Sequence, residues 1–228
     1  MFATELYFAE LRMAFEKNAN PAIATGAKAY MRNKSEFYGI PSPLRRKLVK
    51  DFIAKAGYPP YSQLEELVHF AWDQPQREWQ YIAMEIVEKS VKKADPSLIL
   101  LAEWMIKYKS WWETVDYVAP NIAGIIFKNY PEIKMHYIEK WMTSGNIWLQ
   151  RSCLLHQLRY NRSADANLLF NLCERLADHP DFFIRKAIGW SLRQYSKFNP
   201  ESVIAFVNTH KLSNLSRKEA LKVINRNI

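Results

Sequence analysis

The fold is decided by a twelve-residue stretch, WLQRSCLLHQLR at Trp148–Arg159, because a similar stretch follows it. Phe182–Arg193 reads FFIRKAIGWSLR, and the shift of 34 residues from position 148 to 182 aligns arginines at the fourth and twelfth places. A step of 35 residues back from Arg151 reaches Asp116, and another 35 reaches Tyr81. A period of about 35–40 residues with two helices in each period is typical of an α-solenoid.

Apolar residues recur with helical spacing along nearly the whole chain, and Pro, Asn, Asp and Ser mark the breaks. We find no alternating run long enough for a strand, so the sequence predicts an all-α protein, with one domain over 1–228. Pro120 is expected to break one predicted helix into two pieces. The predicted helices are 3–18, 21–32, 42–56, 61–73, 75–92, 96–108, 111–130, 132–143, 146–161, 164–178, 181–196, 200–209 and 214–226.

The composition is that of an ordinary globular protein, with 49% hydrophobic and 24% charged residues. Only 6 glycines argue against a glycine-loop nucleotide fold, and a net charge of +9 favours a polyanion partner. Basic residues concentrate in 28–50 and 181–228. These two regions could form one basic surface if the chain curves, or they could be ordinary solvated surface.

Cysteine and histidine usage predicts no metal site. Cys153 and Cys173 lie in apolar helical patterns, which favours buried free thiols in a reducing cytosol. The five histidines lack ligand spacing, and we expect neither a metal nor another cofactor. The sequence starts without a basic leader and has no apolar run of the about 18 residues that span a bilayer. We therefore expect a cytoplasmic protein that does not bind membranes.

Residues 109–116, KSWWETVD, carry the candidate chemistry. Ser110 is a plausible N-cap, and Glu113 three residues later completes the pattern of a capping box. This pattern predicts a helix that starts at Trp111, with the Trp111 ring turned towards the core.

Trp112 and Asp116 are four residues apart and share one face of this helix, where an indole beside a carboxylate suits a cation. The alternative is that both tryptophans of the stretch are packing residues and Asp116 is a solvated carboxylate. The repeat alignment places Asp116 in one row with Tyr81, Arg151 and Arg185, on the expected concave face. Arginines in that row would bind phosphates, whereas a carboxylate there needs a cationic group opposite it.

Three blocks give the sequence a specific resemblance to the AlkD family of bacterial DNA glycosylases: KSWWETVD at 109–116, NIWLQR at 146–151 and FFIRKAIGW at 182–190. The resemblance extends from about residue 30 to residue 220. It implies HEAT-like two-helix repeats that form a superhelix with a concave basic groove. Glu113 departs from the pattern, since relatives can carry aspartate there, but it keeps the charge.

The resemblance implies roles for individual residues. It makes Asp116 the catalytic carboxylate, with Trp112 and Trp190 as the cleft tryptophans. It places Arg151, Tyr30 and the pair Phe182 and Phe183 at the DNA, with one of the two phenylalanines in the core and the other in the cleft. Arg185, Lys186 and Arg193 complete the candidate DNA-binding set.

The resemblance also implies a reaction, the removal of purines alkylated at N3 or N7 from duplex DNA. Such a base is cationic and leaves as a neutral molecule, so it needs no general acid. Asp116 would stabilise the oxocarbenium-like sugar and hold the attacking water, while Trp112 and Trp190 flank the sugar. We expect a monomeric, monofunctional enzyme that leaves an abasic site. The alternative is a non-catalytic α-solenoid that binds DNA or a protein through its concave face.

Overall fold

The computed structural model describes residues 4–91 and 95–226, and the regular structure within them is helical. An isolated bridge between Glu36 and Gln76 is the only β-type pairing in this part of the chain, which contains no strand. The all-α prediction is confirmed. The chain forms two compact units, Met1–Ala94 and Asp95–Ile228, and the expectation of a single domain stays a prediction.

The first unit is built around aromatic side chains. The ring centroid of Trp79 lies 5.2 Å from that of Phe8 and 5.6 Å from that of Phe15, and all three side chains are fully buried. Its helices are α1 (Thr4–Lys17), α2 (Pro21–Tyr30), α3 (Ser42–Ala56), α4 (Leu64–Asp73) and α5 (Glu78–Ser90), with a 3₁₀ turn at Tyr61–Gln63.

The second unit contains the stretch 109–116 and the two similar stretches that start at Trp148 and Phe182. Its helices are α6 (Leu98–Lys107), α7 (Trp112–Val118), α8 (Gly124–Asn129), α9 (Pro131–Thr143), α10 (Ile147–Leu155), α11 (Ala166–Arg175), α12 (Phe182–Tyr195), α13 (Pro200–Thr209) and α14 (Asn214–Leu221). A π-helical segment (Ala119–Ala123) joins α7 to α8, and 3₁₀ turns lie at Asn161–Ser163 and Ile224–Arg226.

Several helices start where the sequence breaks predict, because a side chain caps the free amides of the first turn. The Asn146 side chain accepts hydrogen bonds from the amides of Trp148 and Leu149 at the start of α10. Asp181 does the same for Phe183 and Ile184 at the start of α12. These caps fix the starts of the two helices that carry Arg151 and Trp190.

The predicted helix is divided at Pro120 into two α-helices, α7 and α8, as expected, with a π-helical segment between them. Helical backbone continues from α7 through the π segment into α8. Pro120 has no N–H to donate to the carbonyl of Asp116, four residues earlier, and its ring crowds that carbonyl. The wider π turn contains one more residue than an α turn, which relieves this steric conflict. The Asn121 side chain donates to the Tyr117 carbonyl at 2.7 Å within the same turn.

One side-chain hydrogen bond recurs at a spacing that supports the predicted repeat register. Gln80 Nε2 donates to the carbonyl of Trp72 at 3.4 Å, and Gln150 Nε2 donates to the carbonyl of Met142 at 3.1 Å. Both partners are shifted by the same 70 residues (80 to 150 and 72 to 142), which is two periods of 35. Gln80 and Gln150 directly precede Tyr81 and Arg151, which the alignment treats as equivalent. The HEAT-like superhelix and its groove remain predictions.

Candidate active site

Helix α7 begins at Trp112 and not at Trp111, and no capping box forms. The N-cap residue is Trp111, which makes no side-chain capping bond. The Ser110 side chain is turned to the preceding helix, where its Oγ donates to the carbonyl of Ile106 at 2.6 Å. The predicted cap at Ser110 is therefore wrong. The predicted placement of Trp112 and Asp116 one turn apart on one helix is correct.

Asp116 is held by a two-pronged ion pair with Arg151 on α10. Arg151 Nε donates to Asp116 Oδ1 at 2.7 Å, and Nη2 donates to Oδ2 at 2.9 Å. The side chain of Asp116 is 14% exposed and that of Arg151 is 5% exposed. The third arm of the guanidinium, Nη1, donates to the carbonyl of Phe183 on α12. Arg151 on α10 therefore connects α7 and α12 through hydrogen bonds. Asp116 is the more exposed member of the ion pair.

Two opposing effects set the protonation of Asp116. Burial raises its pKa above the ordinary value for an aspartate. The hydrogen bonds and the positive charge of Arg151 act in the opposite direction and favour the carboxylate. The charge of Asp116 therefore depends on Arg151 remaining beside it.

The first turns of α7, α10 and α12 are joined by three rings, which we call the aromatic triangle: Trp111, Trp148 and Phe183. The ring centroids are 5.8 Å apart for Trp111 and Trp148, 5.3 Å for Trp111 and Phe183, and 5.1 Å for Trp148 and Phe183. Because Phe183 also supplies the carbonyl that Arg151 binds, the triangle and the ion pair are directly connected. Trp111, whose ring was expected to turn towards the core, is half-buried, and so is Trp148.

The structure distinguishes the two phenylalanines that the sequence left equivalent. Phe183 packs in the aromatic triangle, whereas Phe182 is 54% exposed at the start of α12. Phe182 is therefore the member of the pair available to a ligand. Trp190 lies two turns further along α12 and is half-buried.

Two of the candidate cations on α12 share one carboxylate. Lys186 Nζ donates to Glu219 Oε1 at 2.8 Å, and Arg193 Nη1 donates to Glu219 Oε2. The hydrogen bond from Lys186 lowers the pKa of Glu219 against partial burial, and both cationic charges act in the same direction. Arg185, in contrast, donates its Nε to the carbonyl of His179 at 2.9 Å, which directs it to the loop before α12.

Tyr30 belongs to the first unit, where it ends α2 and is 71% exposed. It lines a cavity together with Arg45, Glu78 and Tyr81. Arg45 lies over the Tyr81 ring, with its Cζ 5.3 Å from the ring centroid, and forms an ion pair with Glu85 at 2.8 Å.

Sequence reasoning placed Asp116 and Arg151 in one row but missed that they bind each other. It also missed the aromatic triangle and Glu219. A signal for the triangle was present, since Trp111, Trp148 and Phe183 each lie at or beside the start of a helix in the three similar stretches. Glu219 had no comparable signal because its partners lie 26 and 33 residues away with no repeated pattern.

Cys153 and Cys173 are buried and form no disulfide, and burial raises the pKa of Cys173 to about 12. Within residues 4–91 and 95–226, no three or more His, Cys, Asp or Glu side chains are grouped to hold a metal ion. The helices in the same ranges are too short or too polar to cross a bilayer.

A comparison with protein families covers almost the full chain. The model of the DNA alkylation repair enzyme family matches residues 11–224. This chain belongs to the DNA alkylation repair enzyme family. No curated protein matches it. Membership supports a role in DNA repair and an enzymatic function for this alkylation repair protein.

Solved structures agree with the family assignment. A predicted DNA alkylation repair enzyme from Enterococcus faecalis is similar over 90% of this chain and 96% of its own, with 29% identity and a TM-score of 0.82. A protein from Streptococcus mutans UA159 has 20% identity and a TM-score of 0.58, over 78% of this repair protein and 96% of its own chain. The second similarity concerns the fold alone.

Proposed function

We propose that this member of the DNA alkylation repair family is a monofunctional DNA glycosylase that removes N3- or N7-alkylated purines from duplex DNA. The observation that carries the proposal is the mostly buried carboxyl group of Asp116, which accepts two hydrogen bonds from Arg151 and lies one turn after Trp112. A carboxylate that is fixed and mostly shielded from water interacts strongly with a positive charge that develops near it.

The reaction requires stabilisation of a sugar that becomes positive as the bond to the base breaks. An alkylated purine is already cationic, so it leaves as a neutral base without protonation. Asp116 supplies the negative charge and a place for the attacking water, and the ring faces of Trp112 and Trp190 add cation–π stabilisation. The products are a free alkylated base and an abasic site.

Arg151 favours the ionised form of Asp116 in this proposal. The family resemblance also gives it a DNA contact, but its side chain is 5% exposed and its guanidinium already binds Asp116 and the Phe183 carbonyl, so a phosphate would have to displace one of these hydrogen bonds. Phe182 would contact the DNA from the start of α12, together with Arg185, Lys186 and Arg193 of the second unit. Tyr30, in the first unit, is a separate proposed DNA contact. We expect the enzyme to work as a monomer in the cytoplasm, on a groove formed by HEAT-like repeats, without a metal or cofactor.

The test is release of free base from methylated duplex DNA. Purified protein is expected to release 3-methyladenine or 7-methylguanine and to leave abasic sites that alkali cleaves. Asp116→Asn should lower the excision rate by about 10²–10³ while duplex binding persists, the scale seen when one electrostatic group of an active site is removed. Glu139→Gln, which removes a carboxylate from the exposed pair with Arg175, is the matched control and should retain activity.

Two outcomes would contradict the proposal. Excision by Asp116→Asn at the rate of the unaltered protein would remove the carboxylate from the mechanism. DNA binding without release of either base by the unaltered protein would support the non-catalytic binding module. Thermal unfolding of Asp116→Asn must be measured alongside, because the variant leaves the Arg151 charge buried.

A further inference from the structure

We propose that Glu219 binds Lys186 and Arg193, on either side of Trp190, in competition with DNA phosphates. The inference rests on the proposed function in one respect, the assignment of this face of α12 to DNA. It adds a residue that limits how tightly the protein binds undamaged duplex.

Glu219 on α14 binds Lys186 and Arg193 on α12, and we call these two contacts the clasp. One oxygen of Glu219 accepts from Lys186 Nζ at 2.8 Å, and the other accepts from Arg193 Nη1. Lys186 is four residues before Trp190 and Arg193 is three residues after it, so the three side chains share one face of α12. One carboxylate therefore fixes the two cations that flank a proposed active-site indole.

The backbone of α12 is shaped for this clasp at Gly189. A Cβ atom at Gly189 would lie 2.4 Å from Glu219 Cβ and 2.8 Å from the Ser216 carbonyl. Ser216 is fully buried, and its Oγ donates to the carbonyl of Arg185 at 2.9 Å. The absent side chain lets α14 approach closely enough for Glu219 to reach cations on both sides of the indole.

The charges determine what the clasp does to binding. Glu219 is 15% exposed, whereas Lys186 and Arg193 are 38% and 23% exposed, so both cations are more accessible from outside than the carboxylate that binds them. A phosphate that binds either cation must replace a charge-assisted hydrogen bond to Glu219. The carboxylate also offsets one of the two positive charges, which weakens attraction to any duplex.

Glu219→Gln tests the inference by removing the charge while keeping the shape. Binding to an unmodified duplex is measured by fluorescence anisotropy from 50 to 200 mM salt. We expect tighter binding and a steeper salt dependence, by about one unit in the slope of log affinity against log salt. The gain in affinity should therefore be about three- to fourfold larger at 50 mM than at 200 mM salt.

Glu139→Gln is the matched control, because it removes the same charge and releases an arginine, Arg175, elsewhere in the second unit. Addition of Lys186→Gln and Arg193→Gln to the Glu219→Gln protein should abolish the gain. Equal gains in the Glu219→Gln and Glu139→Gln proteins would overturn the inference, since overall charge alone would then explain them. Weaker binding by Glu219→Gln would also overturn it, because a purely structural clasp predicts that direction.

These measurements use undamaged DNA and do not depend on excision. If the unaltered protein releases no alkylated base, while the Glu219→Gln protein binds duplex more tightly, the glycosylase proposal is contradicted and the role of Glu219 is supported. The reverse result would be excision by the unaltered protein with no gain in duplex affinity for Glu219→Gln. It would support the glycosylase proposal and contradict the competition of Glu219 with DNA phosphates.

Discussion

Arg151 and Asp116 are 35 residues apart in the chain and bind each other through two parallel hydrogen bonds of 2.7 and 2.9 Å. The separation equals the predicted repeat period, so two positions that the predicted repeat makes equivalent are in direct contact. The pair is mostly buried, and a third bond from Arg151 reaches α12. The candidate catalytic carboxylate is thereby part of the connection between helices.

The first prediction concerns the stability of this pair. Asp116→Asn or Arg151→Gln alone should each lower the free energy of unfolding by about 3 kcal/mol, because each leaves a buried charge without its partner. The double variant should lose less than the sum of the two, since neither charge then remains. Urea denaturation of the four proteins measures this coupling. Strictly additive losses would show that the two groups do not interact.

The second prediction concerns the pH dependence of excision. Asp116 is ionised above its pKa, so excision should be lost as the pH falls through that value. Burial raises this pKa, so the loss should begin at a higher pH than for an exposed aspartate. Arg151→Gln removes the group that lowers the pKa and should move the acid limb to still higher pH.

Single-turnover excision of 7-methylguanine across this pH range measures the acid limb, with circular dichroism to confirm that each protein stays folded. The limb of Glu139→Gln should coincide with that of the unaltered protein. A limb at the same pH in Arg151→Gln would mean that Arg151 does not control the charge of Asp116.

The third prediction compares two glycines. Gly189→Ala should destabilise the protein by about 2 kcal/mol, because the new Cβ would lie 2.4 Å from Glu219 Cβ and 2.8 Å from a backbone oxygen. Gly26→Ala is the control, since no atom lies within 4 Å of a Cβ there, within helix α2. It should stabilise by about 0.5–1 kcal/mol through helix propensity. Thermal or urea unfolding measures both, and equal effects would contradict the close packing of α14.

The fourth prediction concerns His156, which is fully buried between the rings of Phe127 and Tyr160. Its Nδ1 lies 2.6 Å from the carbonyl of Cys153, and burial lowers its pKa to about 4. The unfolded chain takes up a proton near pH 6.5 and the folded protein does not. Stability from this group is therefore complete above about pH 6.5 and decreases as the pH falls towards 4.

The expected loss from His156 is about 2 kcal/mol at pH 5 relative to pH 7.5. His156→Gln removes this titration, so the difference in unfolding free energy between the two proteins should narrow as the pH falls. The slope is the informative quantity, because the substitution also changes packing at every pH. A constant difference from pH 7.5 to 5 would contradict the neutral, buried state of the histidine.

The sequence predicted the helices well where capping is local. An Asn or Asp before an apolar segment, as at Asn146 and Asp181, acts within three residues and is visible in the sequence. The cap predicted at Ser110 is wrong because the Ser110 hydroxyl donates to the carbonyl of Ile106 on α6, a contact that depends on the neighbouring helix. The division of the helix at Pro120 was predicted, but the π-helical form of the segment between α7 and α8 was not.

The site was predictable in residue type and less so in geometry. The repeat register placed Asp116 and Arg151 in one row, but whether an arginine points to a groove or to a neighbouring carboxylate is decided by tertiary packing. The same holds for Phe182 and Phe183, which are adjacent in sequence and differ only because the aromatic triangle accepts one ring. Glu219 contacts α12 from α14, and no repeated sequence pattern links it to its partners on α12.

The aromatic triangle has an optical consequence. Two indoles held edge-on at 5.8 Å between three helix starts experience a fixed asymmetric environment, which gives rise to near-ultraviolet circular dichroism. Because Phe183 belongs to the triangle and its carbonyl binds Arg151, any loosening around Asp116 should change that spectrum before the helices melt. The protein therefore carries a built-in spectroscopic reporter of its own candidate active site.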